Sequence, residues 1–149
     1  MLWPRTSDEA VSRRMKAVKS RNTSPEVAFK KELRVHKIRY QSHPKRVTGC
    51  PDLIIINRRI AVFVDGDFWH GHQWKMRGYP SLAAQFKNVS NKKYWVAKIQ
   101  RNCKRDKQVN RALRMQGWAI LRFWESEFLK DPIKCIRIIQ RRAKLPNNK

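Results

Sequence analysis

The sequence is poor in acidic residues, and this scarcity identifies the class of partner. Its 149 residues contain 11 Asp and Glu against 35 Lys and Arg, which gives a formal net charge of +24. A charge of this size destabilises a compact chain by self-repulsion and usually serves to bind a polyanion. Because the basic residues are spread along the whole chain, we expect a folded nucleic-acid-binding surface. An RNA-coating protein of the ribosomal type is a less attractive alternative, since the chain has six tryptophans.

Cysteine and long hydrophobic runs are also scarce. The three cysteines are odd in number, widely spaced and without a C-x-x-C pair. This pattern argues against a disulfide framework or a thiolate zinc cluster and suits a cytoplasm. No apolar run reaches membrane-spanning length, and the N-terminus lacks a signal-peptide core. We expect a soluble, cytoplasmic, nucleoid-associated protein without membrane contact, forming one domain over residues 1–149 with disordered ends at 1–6 and 144–149.

The most informative stretch is a pair of apolar runs, residues 53–56 and 60–64, joined by a polar turn. This pattern predicts a β-hairpin whose strands are covered on both faces. Asp52 opens the first strand and Asp65 closes the second, so antiparallel pairing would bring both carboxylates to one edge of the sheet. Two carboxylates at one edge repel each other unless a cation lies between them. The hairpin therefore predicts a metal site.

The remaining segments predict helices on both sides of further strands. The order helix, helix, strand, strand, strand, helix, strand, helix indicates an α/β fold with a mixed sheet flanked by helices. The predicted elements are helices at about residues 7–19, 22–35 and 91–115, an edge strand at 38–41, an irregular segment at 71–87, a buried strand at 118–124 and a last helix from Asp131-Pro132.

Asp52 is our candidate metal ligand. Mg²⁺ prefers one or two carboxylates together with phosphate oxygens and water. Asp52 would supply one ligand, and a backbone carbonyl near Val64 another. The structural alternative is that Asp52 only caps the turn before its strand. We favour the metal ligand, because a cap does not need a second acid at the facing strand end.

His70 is the candidate for proton transfer. A lone histidine or an Asp-Gly turn signal would be weak indications by themselves. Together with the acids they are stronger, because a histidine near a metal and a phosphate can take the proton that an attacking water loses. Such a base is usually oriented by a carboxylate on its other ring nitrogen. Asp106 is the candidate for that orienting group.

One face of the predicted long helix carries Trp95, Lys98, Asn102 and Asp106, which are spaced by three, four and four residues. Lysine and asparagine can read base edges, and tryptophan can stack on an unstacked base. The loop pair Phe68-Trp69 could insert between base steps as an apolar wedge. The alternatives are a solvated helix face and a satellite hydrophobic cluster.

Five segments form an ordered set of motifs: Met15 to Glu26, Pro51-Asp52, Phe63 to His70, Trp95 to Asp106, and Gly117 to Glu125. In this order and at these intervals they resemble the very-short-patch-repair (Vsr) DNA mismatch endonucleases, over nearly the whole chain from about Ser7 to Glu125. The resemblance implies a restriction-endonuclease-like α/β fold. It also implies Mg²⁺-dependent nicking of one strand of double-stranded DNA beside a T·G mismatch.

The resemblance further implies roles for individual residues. Asp52 would bind one or two Mg²⁺ ions with the carbonyl of Val64, and His70 would be the general acid/base with Asp106 behind it. Glu26 would belong to the same acidic site. The implied DNA contacts are Phe68, Trp69 and Trp95 in the major groove, Met15 from the minor groove, and Lys98 and Asn102 on the mismatched bases. A mismatch is cheaper to unstack than a Watson–Crick pair, which gives the wedges a route to selectivity.

Two departures from the family pattern matter. Family members carry a histidine where this chain has Asp65, so an acid replaces a potential proton donor and moves the site toward a more acidic metal centre. Family members also bind a structural zinc, whereas here only His72 persists, and Asp67, Trp74 and Ser126 stand at the expected cysteine positions. We therefore predict no zinc and a divergent branch, such as homing or host-defence nucleases that share this core.

The leading hypothesis is thus a Mg²⁺-dependent endonuclease that nicks at a T·G mismatch in very-short-patch repair. One alternative is a sequence-specific homing or restriction-like nuclease that acts on paired DNA. Another is a non-catalytic DNA-binding module, which would bind in a salt-sensitive way without cleavage. Nicking one strand needs one active site, so we expect a monomer. Proteins of DNA repair are candidate partners.

Overall fold

The computed structural model describes residues 24–144, and a four-stranded mixed sheet lies at its centre. The sheet order is β1-β2-β3-β4; β1 and β3 each pair antiparallel with β2, and β4 pairs parallel with β3. The strands are β1 (Gln41–Ser42), β2 (Leu53–Ile55), β3 (Ile60–Asp65) and β4 (Ala119–Trp124). The α-helices are α1 (Ser24–Val35), α2 (Gln73–Met76), α3 (Leu82–Gln85), α4 (Lys92–Met115), α5 (Glu125–Lys130) and α6 (Pro132–Lys144). The predicted α/β class is confirmed.

The central hairpin consists of β2 and β3, with Leu53 opposite Val62. A single 3₁₀ turn, Ile56–Arg58, joins the strands, and Arg59 adopts the left-handed conformation after it. All of β2 is buried, and β3 is buried except for the half-buried Val64. Antiparallel pairing brings the start of β2, next to Asp52, beside the end of β3 at Asp65. The hairpin pattern in the sequence predicted this arrangement.

The sheet has a hydrophobic core on each face, because successive side chains of a strand point to opposite sides. The larger core joins the sheet to α1, α5 and α6, and the smaller one joins it to α4. Both faces are covered, which explains the nearly continuous apolar strands. The buried members of the larger core include Phe29, Leu33, Leu53, Val62, Phe123, Phe128, Ile136 and Ile139. Those of the smaller core are Ile54, Ala61, Phe63 and Leu113.

The first strand begins later than the predicted 38–41. Lys37 has φ +57°, and the N–H of Ile38 donates to the carbonyl of Leu33. These residues therefore form the C-terminal cap of α1, and no strand can start within the cap.

Two helical regions were not predicted. The segment 71–87 contains the short helices α2 and α3, and Ser81 caps α3 by accepting from the N–H of Ala84. Helix α5 begins directly after β4, where Trp124 provides no side-chain cap. Start signals that rely on a polar cap do not detect such a helix.

The predicted helix at 7–19, Met15 and the end segments 1–6 and 145–149 lie outside the described residues. Within residues 24–144, no helix is both long and apolar enough to cross a membrane.

Candidate active site

Asp52 lies beside the end of β3 and is tied to it by one hydrogen bond. Its Oδ2 accepts from the backbone N–H of Val64 at 2.7 Å. In an extended strand the N–H and C=O of one residue point to the same edge, so the carbonyl of Val64 is directed to the side of Asp52. Burial raises the pKa of Asp52, and the charges of Glu26 and Asp65 raise it further, against the hydrogen bond from Val64. A cation at this position would favour the ionised carboxylate.

The donors around Asp52 fit a hard divalent ion with few protein ligands. Within residues 24–144, no three His, Cys, Asp or Glu side chains are arranged to bind a metal by themselves. An ion would therefore be held by Asp52, the carbonyl of Val64, water and phosphate oxygens. Mg²⁺ commonly accepts such a set, because it keeps several water ligands and takes others from substrate phosphates.

Glu26 of α1 stands next to this edge, and its carboxylate contacts two basic side chains. Its Oε1 lies 2.5 Å from Nε2 of His43 and 2.7 Å from Nζ of Lys30. Burial raises the pKa of Glu26, but the hydrogen bonds from Lys30 and His43 outweigh it and leave the pKa below its ordinary value. Neither partner was predicted from the sequence. Lys30 could have been found, because Glu and Lys four residues apart are neighbours on a helix.

His70 lies in the loop after β3, and Asp106 of α4 lies behind it. Nδ1 of His70 is 2.5 Å from Oδ2 of Asp106, and Nε2 is 3.8 Å from Oδ1 of Asp65. Burial lowers the pKa of His70, but the hydrogen bond to Asp106 and the charges of Asp65 and Asp106 more than offset this, so the pKa lies above its ordinary value. Helix α4 also fixes the loop, since Asn102 donates to the carbonyl of Trp69 and Cys103 to that of His70.

Arg122 of β4 is a site residue that sequence analysis did not identify. Its Nη1 lies 2.9 and 3.0 Å from the two oxygens of Asp65, and 3.6 Å from Oδ1 of Asp106. Asp65, which was expected to make the metal centre more acidic, is thus neutralised by an arginine. The available signal was a single charge within an apolar strand, because a buried charge needs a partner.

Comparison with known proteins identifies the family. The family model described as "DNA mismatch endonuclease Vsr" matches residues 6–76. The type II nicking enzyme V.NmeDIP of Neisseria meningitidis serogroup C is 37% identical over 131 residues, which cover 88% of this chain and 84% of that protein. The type II nicking enzyme V.HpaIIP of Haemophilus parainfluenzae is 40% identical over 123 residues, covering 83% and 82%. This chain belongs to the Vsr family. The DNA mismatch endonuclease Vsr of Escherichia coli (strain K12) is 27% identical over 114 residues, covering 76% and 68%.

Vsr membership confirms the resemblance inferred from the motifs, and the mixed sheet agrees with the restriction-endonuclease-like fold that it implied. The protein is a DNA endonuclease, and DNA is its partner. The alternatives of a non-catalytic binding module and of an RNA-coating protein are thereby set aside.

The aromatic residues of this Vsr-family chain pack together beside the acidic edge. Phe68 and Trp69 contact each other at 5.3 Å between ring centroids, and Trp95 lies 5.8 and 6.1 Å from them. Phe86 and Ile99 complete this aromatic cluster. The arrangement is the satellite cluster that sequence analysis kept as an alternative to DNA wedges. Nζ of Lys98 lies 5.5 Å from the ring centroid of Trp69, whereas Trp95 is only 7% exposed and is buried within the cluster.

The residues at the positions where the sequence resemblance implied a structural zinc form a hydrogen-bonded cluster. Asp67 Oδ1 accepts from Oγ of Ser126 and lies 2.7 Å from Nδ1 of His72, while Oδ2 accepts from the N–H of Ser126. The ring of His72 stacks on Trp124 at 4.2 Å. No thiolate is present among these groups, Trp74 offers no ligand, and both carboxylate oxygens are already engaged. The residues therefore do not fit a tetrahedral zinc site.

We expect Asp67→Ala to destabilise the protein by about 1–3 kcal/mol, since two donors of Ser126 and the ring of His72 would lose their acceptor. Thermal unfolding in Mg²⁺-free buffer, with and without chelator, checks this, with Glu127→Ala as a control at an exposed acid of α5, the helix that carries Ser126. The wild-type melting temperature should not change with chelator. Stoichiometric zinc in the purified protein, or a chelator-dependent loss of stability, would contradict the interpretation.

Proposed function

We propose that this Vsr-family endonuclease nicks one strand of duplex DNA beside a T·G mismatch, with Mg²⁺ as its cofactor, in very-short-patch repair. The observation that carries the proposal is the gathering of Asp52, Asp65 and the His70–Asp106 pair at one sheet edge. The names of the relatives add support, since they describe nicking enzymes and a mismatch endonuclease.

The residues at this edge can divide hydrolysis of a phosphodiester between them. A bound Mg²⁺ would polarise the phosphate and stabilise the charge that develops on it. Asp52 and the carbonyl of Val64 would hold that ion. His70 would accept a proton from the attacking water at Nε2, while Asp106 holds Nδ1–H, fixes the tautomer and stabilises the imidazolium.

Glu26 would contribute a second negative charge close to Asp52. Its lowered pKa keeps it ionised at neutral pH, so it could accept hydrogen bonds from water molecules around the ion. Lys30 compensates its charge, which limits the repulsion between Glu26 and Asp52. Asp65 would act through its neighbours His70 and Arg122.

The aromatic cluster would provide mismatch selectivity. The half-buried Phe68 and Trp69 would enter the major groove as a preassembled wedge that packs on the buried Trp95, and Lys98 and Asn102 would contact the mismatched bases. Inserting a wedge costs the stacking energy of the step that it opens, and this cost is smallest at a mismatch. Met15 would approach from the minor groove, outside the described residues. One such site acts on one strand, so a monomer suffices.

A second candidate is sequence-specific nicking of fully paired DNA. It is favoured by the printed names of the relatives in Neisseria and Haemophilus, which mention nicking but no mismatch. It is also favoured by Asp65, which departs from the histidine of the family pattern. The two candidate functions share the chemistry of the site. They differ in the DNA that the protein recognises, which is a T·G mismatch in the first and a specific sequence of fully paired DNA in the second.

A duplex panel separates these candidates. We expect the wild-type protein with Mg²⁺ to cut one labelled strand of a T·G duplex at least about tenfold faster than matched or otherwise mismatched duplexes, because each discriminating contact contributes about 1–3 kcal/mol. Each duplex carries different labels on its two strands, and chelator serves as the blank. Equal rates on T·G and matched duplexes of one sequence would contradict mismatch recognition and support the second candidate.

A further inference from the structure

Arg122 is held in one orientation by groups from two neighbouring elements. Its Nε donates to Oδ1 of Asn110 on α4 at 2.8 Å, and its guanidinium carbon lies 4.0 Å from the ring centroid of Phe63 on β3. Its Nη1 donates to both oxygens of Asp65. The side chain is 18% exposed, and that of Asp65 is 8% exposed. A pair as buried as this is costly to break on one side only.

The imidazole of His70 lies between two carboxylates but is hydrogen-bonded to only one. The distance from Nδ1 to Asp106 is 2.5 Å, whereas Asp65 Oδ1 stays 3.8 Å from Nε2. A hydrogen bond between these groups requires about 3.2 Å or less. Both Asp65 oxygens are bound instead to Arg122. Arg122 therefore binds the carboxylate that lies nearest to Nε2 of His70, the proposed base.

We propose that Arg122 is a positioning residue that keeps the Asp65 carboxylate off Nε2 of His70, so that this nitrogen stays open to the reacting water. The inference rests on the proposed function of His70. Without Arg122, a buried and uncompensated Asp65 turns to the nearest donor, because an unpaired buried charge is strongly unfavourable. An imidazole bound by carboxylates at both nitrogens keeps both protons and has no lone pair for a water proton.

Asp65 and Arg122 are thus a matched pair. The carboxylate of Asp65 lies 3.8 Å from Nε2 of His70, close enough to capture this nitrogen if it lost its own partner. Arg122, on the adjacent strand β4, binds both oxygens of Asp65. Asp106 is then the one carboxylate within residues 24–144 that is hydrogen-bonded to the imidazole of His70.

A double-variant cycle tests this inference with four proteins: wild type, Arg122→Met, Asp65→Asn and the double variant. We measure the single-turnover nicking rate at saturating enzyme, DNA affinity in chelator, and thermal unfolding. Arg122→Met should lower the rate about 10²-fold or more, the scale of losing a general base, with unchanged DNA affinity. The double variant should return to within about tenfold of Asp65→Asn, because the amide has no charge that would hold His70.

Arg59→Met is the matched control. Arg59 also lies against an aromatic ring, that of Trp118, and donates to the carbonyl of Gln116, but it precedes the opposite end of β3. It should keep the wild-type nicking rate. If Arg122→Met does not fold, Arg122→Gln takes its place in the cycle.

A double variant as slow as Arg122→Met would overturn the inference. Removal of the Asp65 carboxylate would then not have restored the activity of His70. A weaker DNA affinity with an unchanged saturated rate would also overturn it and make Arg122 a DNA contact. These outcomes are read only against an active wild type. A wild type that nicks no duplex would refute the proposed function itself.

Discussion

Asp52→Asn is expected to abolish Mg²⁺-dependent nicking while the protein remains folded and at least as stable as the wild type. The amide keeps an oxygen that can accept from the N–H of Val64, so the tie between β2 and β3 is preserved. It removes the charge that would hold the ion. Since a catalytic metal contributes several kcal/mol, the rate should fall about 10³-fold or more.

The stability part of this prediction follows from the sign of the pKa shift. Burial, together with Glu26 and Asp65, raises the pKa of Asp52 in the folded protein. A carboxyl with a raised folded pKa destabilises the fold at pH values where it is ionised, and this cost disappears as the pH falls through the folded pKa. An amide carries no such cost. Without Mg²⁺ at neutral pH, Asp52→Asn should therefore melt at the same or a higher temperature.

Asp131→Asn is the control for this substitution. Asp131 accepts from the N–H of Lys134 at the start of α6, away from the acidic edge, and the amide can cap in the same way. It should nick at the wild-type rate. Full activity of Asp52→Asn would end the assignment of Asp52 as the metal ligand.

His70→Ala is the second substitution with a large expected effect, a loss of about 10²–10⁴-fold in the nicking rate, which is the usual contribution of a general acid or base. DNA affinity should change little, because His70 acts on the proton of the water rather than on binding. His36→Ala is the matched control. His36 bonds to the carbonyl of Glu32 in α1 and lies outside the acidic edge.

The pH dependence of Asp106→Asn distinguishes a base from a merely structural histidine. The hydrogen bond to Asp106 raises the pKa of His70 against the effect of burial. Losing that carboxylate lowers the pKa, so His70 stays neutral to lower pH. The acid limb of the rate profile should therefore move to lower pH, while the plateau rate falls. A profile that keeps its shape would show that the proton does not pass through His70.

Much of the site could be predicted where the signals are local in sequence. Asp52 directly precedes β2 and Asp65 ends β3, and a short turn joins these two strands. The proximity of the two acids therefore follows from the hairpin alone. The link between His70 and Asp106 spans 36 residues. It could be anticipated from the helix face that Asp106 shares with Trp95, Lys98 and Asn102, and from the motifs that carry the Vsr resemblance, which contain both residues.

The parts that could not be predicted depend on pairing between distant segments. Arg122 reaches Asp65 across 57 residues because β4 joins β3 in parallel, with Arg122 in register with Phe63. No periodicity in the sequence specifies that register. His43 lies in a loop, contacts Glu26 from there, and has φ +44°. The sequence around it does not indicate this left-handed conformation.

The most direct test of the account is a strand-resolved nicking assay on a T·G duplex that compares the wild type with Asp52→Asn and His70→Ala, in Mg²⁺ and in chelator. We expect the wild type to cut one strand with Mg²⁺ and neither strand in chelator, and both variants to cut at least about 10²-fold more slowly. Cleavage that persists in chelator, or in either variant at the wild-type rate, would contradict a site in which Asp52 holds the ion and His70 moves the proton.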